Sequence, residues 1–243
     1  MLNQTSNQFV LKEVRKFPPA RQIVADYSPR EVADHPFFQH LREGSASLEP
    51  VWLLMANLRA GISRDFVVWL SWTIARVEDR RIGSLVAKQL NDELGNGDPS
   101  AIHSVLLTQF VAGLEPFAPD WAEASSALLG PGCSLGLAAA RPFFGDPYES
   151  VGALIVGEIF AEKMDRCIGD AVRRHGGVSP DVRTWLTVHE VLEVSHAADS
   201  GALAELVPAT GPELAATWRG ATDQWRVLWE FLDDVDALAA SLS

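Results

Sequence analysis

Apolar positions along this chain recur three and four residues apart, and no long apolar–polar alternation bounded by turn dipeptides interrupts them. Ser28-Pro29-Arg30-Glu31 has the form of a capping box with proline in the first turn. It predicts a helix through Val32, Phe38 and Leu41 that stops at Gly44. Further helices are predicted from about Glu49 to Gly61, from Ser63 to Val77, from Gly83 to Leu94, and from Asp98-Pro99 through Phe110. Residues 114–147 are broken by prolines and glycines and predict short helices and connectors. Three long helices follow: Tyr148 to His175, ended by Gly176-Gly177; Ser179 to Leu206; and Gly211 to Ala240. The expectation is an all-α, single-domain bundle of about eight helices over residues 28–243. Residues 1–27, polar and Pro-containing, are expected to be an N-terminal arm.

With 243 residues and 47% hydrophobic content the chain can bury a sizeable core. The formal charge of -12 argues against a nucleic-acid surface and against adhesion to an anionic membrane. No window of about 18 uncharged apolar residues predicts a membrane span, and the N-terminus lacks the apolar core of a secretory signal. Two cysteines, Cys133 and Cys167, make no disulfide framework and suit a reducing compartment, so a cytoplasmic location is expected.

Two motifs fail on context. Gly132-Cys133-Ser134-Leu135-Gly136 matches a nucleophile elbow, but that elbow needs a strand before it and none is predicted. The segment reads as a helix–helix connector. His189-Glu190 begins a zincin pattern whose second histidine would fall at position 193, where Glu193 stands. Trp218, Trp225 and Trp229 at helical spacing read as core.

A different set of residues carries chemistry. On a helix, His189, Glu193 and His196 fall within roughly 60° of one another, on or beside the stripe carrying Val182, Trp185 and Leu192. By themselves they are either ligands or a polar ridge. Other helices also place acids on apolar stripes. Glu158 continues Val151, Leu154 and Ile155, and Glu93 continues Val86 and Leu90. His103 lies in line with Leu106, Leu107 and Phe110. Glu162, one turn beyond Glu158, is either a substitute ligand or a group at the exit to solvent. A carboxylate on a core face is unfavourable unless paired or metal-bound. Three Glu and three His on core faces of four helices suit two first-row metal ions, and no thiolate cluster competes. A ferritin-like site would need two Glu-x-x-His motifs. Glu193 to His196 is one, but Asn96 follows Glu93 and Ala161 follows Glu158 where the second would need histidine.

At these residues the chain resembles the heme-oxygenase-like di-iron oxidase/oxygenase superfamily, which includes iron-containing redox enzymes and shares the fold of pyrroloquinoline-quinone synthase and thiaminase-like proteins. The resemblance is carried by Asp92-Glu93-Leu94-Gly95-Asn96-Gly97 running into His103, by Glu158, and by the final His-x3-acid-x2-His. It spans about His35 to Val235. The acid of the last motif is usually Asp in that family and here is Glu193, one methylene longer.

The resemblance implies that Glu93, His103, Glu158, His189, Glu193 and His196 hold two Fe(II) ions, with Glu158 as bridge, and that O2 is co-substrate. Asp92, Glu162 and Glu190 are candidates to orient the ligands. Gly95 and Gly97 would allow the reversal that brings Glu93 and His103 together. The implied substrate is a small metabolite such as an amino acid, amine or carboxylate. The reactions are oxidative C–C cleavage, N-oxygenation, nitrile formation or aromatic-ring remodelling, in specialised or natural-product metabolism. A homodimer is expected, and an external electron donor is compatible with this chemistry. Two other readings stay open on the residues: a metal-free enzyme of the same fold using the Glu and His as acid and base, and a non-catalytic helical binding protein.

Overall fold

The computed structural model describes residues 17–43, 47–63, 65–124 and 129–242; within them the side chains of residues 123, 124, 129, 130, 190, 191, 193, 194 and 197 lie outside the description. Every regular element among the described residues is helical. The α-helices are α1 (Arg21–Tyr27), α2 (Pro36–Glu43), α3 (Glu49–Leu58), α4 (Phe66–Arg76), α5 (Arg80–Glu93), α6 (His103–Leu114), α7 (Pro119–Ala124), α8 (Leu129–Phe144), α9 (Pro147–His175), α10 (Thr184–Leu206) and α11 (Pro212–Leu242). The all-α expectation holds, but the described residues form eleven α-helices rather than about eight. The additional ones are α1, where an arm is expected, and α7 and α8, which fall in the stretch expected to hold short helices and connectors.

Those additions have physical reasons. α1 falls where an arm is expected, yet Ile23 and Tyr27 are buried, and the Tyr27 ring packs 5.2 Å from that of Trp225. Ser28 therefore ends α1, donating its N–H to the Val24 carbonyl, and does not cap the next helix. The cap of α2 is His35 instead, whose Nδ1 accepts the Phe37 N–H at 3.1 Å. The Gly132–Gly136 segment lies inside α8 and is not a connector. Cys133 and Cys167 are both free. No described helix is long and apolar enough to cross a membrane.

α9 is the axis of the bundle. Its start is fixed by Asp146, whose side chain accepts the Tyr148 N–H, with Pro147 at the first helical position. Its end carries Arg173, Arg174 and His175 against the helix dipole and closes on Gly176 at φ 71°. Both long faces are covered, most extensively by α11 and then by α10. The α9–α11 crossing is a backbone contact. A Cβ added at Gly152 would stand 1.9 Å from the Thr217 carbonyl oxygen, and one at Gly220 would stand 1.9 Å from that of Glu149.

This contact makes a paired prediction. Gly152→Val should cost about 2–3 kcal/mol in urea unfolding, because the two longest helices must separate to admit the side chain. Gly157→Ala, five residues along the same helix, should be neutral or stabilising by up to about 1 kcal/mol, because its Cβ would meet nothing within 4 Å. Equal midpoints for the two variants would show that the crossing does not depend on the glycine.

Candidate metal centre

Glu93 is the last residue of α5, on a stripe with Ile82, Val86 and Gln89. The chain then turns through Gly95 (φ 74°), Asn96 (φ 54°) and Gly97 (φ 88°). Gly95 is needed for space as well as for φ, since a Cβ there would lie 2.7 Å from the Ala101 carbonyl carbon. Asp98 accepts the Ser100 N–H at 2.8 Å and sets up a short 3-10 turn, after which His103 opens α6. The reversal leaves Glu93 Oε2 3.1 Å from His103 Nδ1.

The second pair joins α9 to α10. Glu158 Oε2 lies 2.9 Å from His196 Nδ1, and both residues are buried. The Gln89 side-chain amide donates to the other Glu158 oxygen. Asp92 Oδ2 is 3.7 Å from His196 Nε2. Three acids thus act on one imidazole. Burial by itself would lower the His196 pKa. The hydrogen bond and charge of Glu158, with the charges of Glu93 and Asp92, outweigh burial and push it up to about 9.

His189 is held differently. Its Nδ1 donates to the Trp185 carbonyl at 2.9 Å, one helical turn back, which makes Nε2 the lone-pair nitrogen of the neutral ring. Its ring packs 4.0 Å from Trp185 and 4.7 Å from His103, and Trp185 in turn stacks on Phe110 at 5.6 Å. Burial, followed by the nearby His103 charge, lowers the His189 pKa to about 3, against a smaller opposing effect of the Trp185 carbonyl.

Glu93, His103, Glu158 and His189 all line one cavity of about 150 Å³. His196 stands behind Glu158. The Glu193 and Glu190 side chains lie outside the described ones. Glu162 pairs with Arg166 one turn along and is absent from the cavity wall. Gln89 and the stacking role of Trp185 were not legible as site features, although each has a signal: an amide on the α5 core stripe, and a tryptophan four residues before His189.

As the side chains stand, no group of three or more His, Cys, Asp or Glu among the described residues is arranged to hold a metal ion; the donors pair with one another. In kind they fit iron. The described ones are three buried imidazoles, a buried carboxylate at Glu158 and a half-buried one at Glu93, and neither cysteine lines the cavity.

In the metal-free protein the two histidines should limit stability from opposite sides. His196, raised above the usual value near 6.5, stabilises the fold fully below pH 6.5, and that contribution is lost as pH rises towards 9. His189, lowered, stabilises it above pH 6.5, and that contribution is lost as pH falls towards 3. Histidine NMR titration should show one ring titrating near 9 and one staying neutral through pH 5. Both rings titrating between 6 and 7 would contradict the geometry.

Comparisons with known proteins agree with this architecture. A CADD-like protein of unknown function from Nostoc punctiforme, solved in two crystal structures, shares the fold. One superposes with a TM-score of 0.65 at 14% identity, covering 90% of this chain and 95% of that one. The other gives 0.60 at 15% identity, covering 91% and 93%. No curated protein matches the chain. The family model described as iron-containing redox enzyme matches residues 55–229, the span that holds all six candidate ligands. The chain belongs to the family of iron-containing redox enzymes.

Proposed function

We propose that this oxidoreductase is a non-heme di-iron, O2-activating oxidase or oxygenase acting on a small metabolite such as an amino acid, amine or carboxylate. The observation that carries the reading is the pair of carboxylate–imidazole contacts, the half-buried Glu93 with buried His103 and the buried Glu158 with His196, brought from four helices beside His189. Glu93, His103, Glu158, His189, Glu193 and His196 would hold the two ions, with Glu158 as the shared carboxylate. Bound ferrous iron would supply the electrons that activate O2.

The chain's own residues account for the rest. The Trp185 carbonyl fixes the His189 tautomer and presents Nε2 as a ligand. Gln89 holds one Glu158 oxygen, so the other faces His196. Phe66, Trp69, Phe143 and Leu107 give the cavity beside these groups an apolar wall. The proton on His196 in the metal-free chain keeps the surrounding acids compensated, and metal loading must displace it.

Anaerobic Fe(II) titration should give up to two irons per chain, and O2 consumption should follow loading. His189→Ala and His196→Ala should each lower iron affinity by roughly 100-fold or more, beyond the 10–100-fold typical of an outer-shell partner. Gln89→Leu should fall within that outer-shell range, with both irons still bound. Wild-type iron binding and O2 uptake in both histidine variants would overturn the reading. Turnover without iron would favour the metal-free enzyme.

A further inference from the structure

A second recess shares no residue with the cavity beside the candidate centre. It lies where the C-terminal half of α9 meets α2 and the short 3-10 turn Val32–Asp34, and its volume is about 110 Å³. Six charged side chains line it: Arg42, Lys163, Arg166 and Arg174 against Glu31 and Asp170. Four bases to two acids is the reverse of the whole chain, which has 32 acids and 20 bases. Ion pairs account for part of this charge. The Nζ of buried Lys163 lies 3.2 Å from Glu31, Arg166 pairs with Glu162, and Asp170 pairs with Arg173. Arg42 and Arg174 are then left with no carboxylate partner among the described residues. Arg174 instead donates to the Leu41 carbonyl at 3.0 Å, which ties its guanidinium to the residue next to Arg42. Only one of its five N–H groups is used there. Both arginines are exposed, so a solute can reach them. The end of α9 accounts for Arg174 as a helix-terminal cation, but not for Arg42 on another helix. Cys167 also lines the recess. Burial pushes its thiol up to about 11 against the pull of Arg42, so it stays neutral and supplies no counter-charge.

We propose that this recess is a binding site for a phosphate-class dianion, either inorganic phosphate or the phosphoryl group of a small metabolite, held by Arg42 and Arg174. Guanidinium forks match the paired oxygens of a phosphoryl group, and two positive charges without acidic partners match its charge. The volume is somewhat below the ~150 Å³ that takes a benzene ring, which is room for a group of about five heavy atoms. The net charge of -12 does not forbid such a site, because fields are screened beyond about 8 Å at physiological salt. It does disfavour a polyanion or an anionic membrane, which would meet the rest of the chain's charge. The site needs no metal and stands apart from the di-iron reading.

The test is calorimetry on the full chain without added metal, at constant physiological ionic strength, with inorganic phosphate, glycerol phosphate and acetate as probes. Phosphate should bind one per chain with a Kd of about 1 mM or tighter, and at least about tenfold more tightly than acetate. Arg42→Gln and Arg174→Gln should each weaken it by about tenfold or more. Arg81→Gln, which removes the same charge from the start of α5, should leave it within about twofold of wild type. Arg42 makes no hydrogen bond or ion pair among the described residues, so its variant tests the site without removing a polar contact of the fold. Tighter binding of glycerol phosphate than of phosphate would assign the site to a phosphorylated metabolite, and equal or weaker binding would assign it to inorganic phosphate. The proposal is overturned if phosphate fails to bind at about 10 mM, if acetate binds as tightly, if either recess variant binds phosphate as wild type does, or if Arg81→Gln weakens binding as much as they do.

Discussion

Polar groups buried in a helical bundle must find partners inside it, and this constraint organises the molecule. Glu158 sits at the centre of α9, where both long faces of the helix are packed. Little of it reaches solvent, and its two oxygens are taken by Gln89 and His196. Those partners come from α5 and α10. The same requirement ties Glu93 at the end of α5 to His103 at the start of α6. Four helices are therefore coupled through side chains whose burial without those partners would be strongly unfavourable.

The coupling needs α9 to be placed closely, and its backbone contact with α11 does this. Glycines at positions 152 and 220 let the two helices meet carbonyl to Cα. That fixes the height and rotation of α9 about two turns before Glu158. At its other flank, Trp185 stacks between Phe110 and His189, so α6 and α10 are held by rings rather than by small residues. The imidazoles of His103 and His189 meet at the end of this aromatic column. Aromatic packing places these imidazoles before any ligand arrives, which lowers the ordering cost of assembling a site.

Much of this was legible in the sequence, for identifiable reasons. Long amphipathic stretches with strong punctuation, such as Asp146-Pro147 and Gly176 around α9, declare themselves locally. Acids that interrupt an apolar stripe, such as Glu93 and Glu158, are visible because burial makes them costly. What stayed hidden depended on tertiary contact. The capping box at Ser28 is a sound local signal, but burial of Tyr27 against Trp225 overrides it and hands the cap to His35. The glycines of α8 look like chain breakers and instead admit close helix packing, as at Gly132 and Gly136 against the segment holding Gly61. Sequence alone does not tell Gln89 and Gln224 apart, because an amide on a helix face is usually solvated. Only the packed structure shows that one is committed to Glu158 and the other lacks a donor.

The candidate centre and the cavity share walls, and this has a consequence for how they act. Glu93, His103, Glu158 and His189 belong to both. A molecule occupying the cavity touches side chains that the ligand pairs hold in place, so its binding free energy and that of a metal cannot be independent. By linkage, whichever binds first alters the affinity for the other by the same factor. The sign follows from the acid–imidazole pairs. Any ligand that draws Glu93 or Glu158 away from its histidine frees donors for a metal, whereas one that tightens the pair withholds them. His189 stands apart from this competition, because Trp185 has already fixed its proton and its orientation. One fixed imidazole thus stands beside two carboxylate–imidazole pairs that a molecule in the cavity can loosen or tighten.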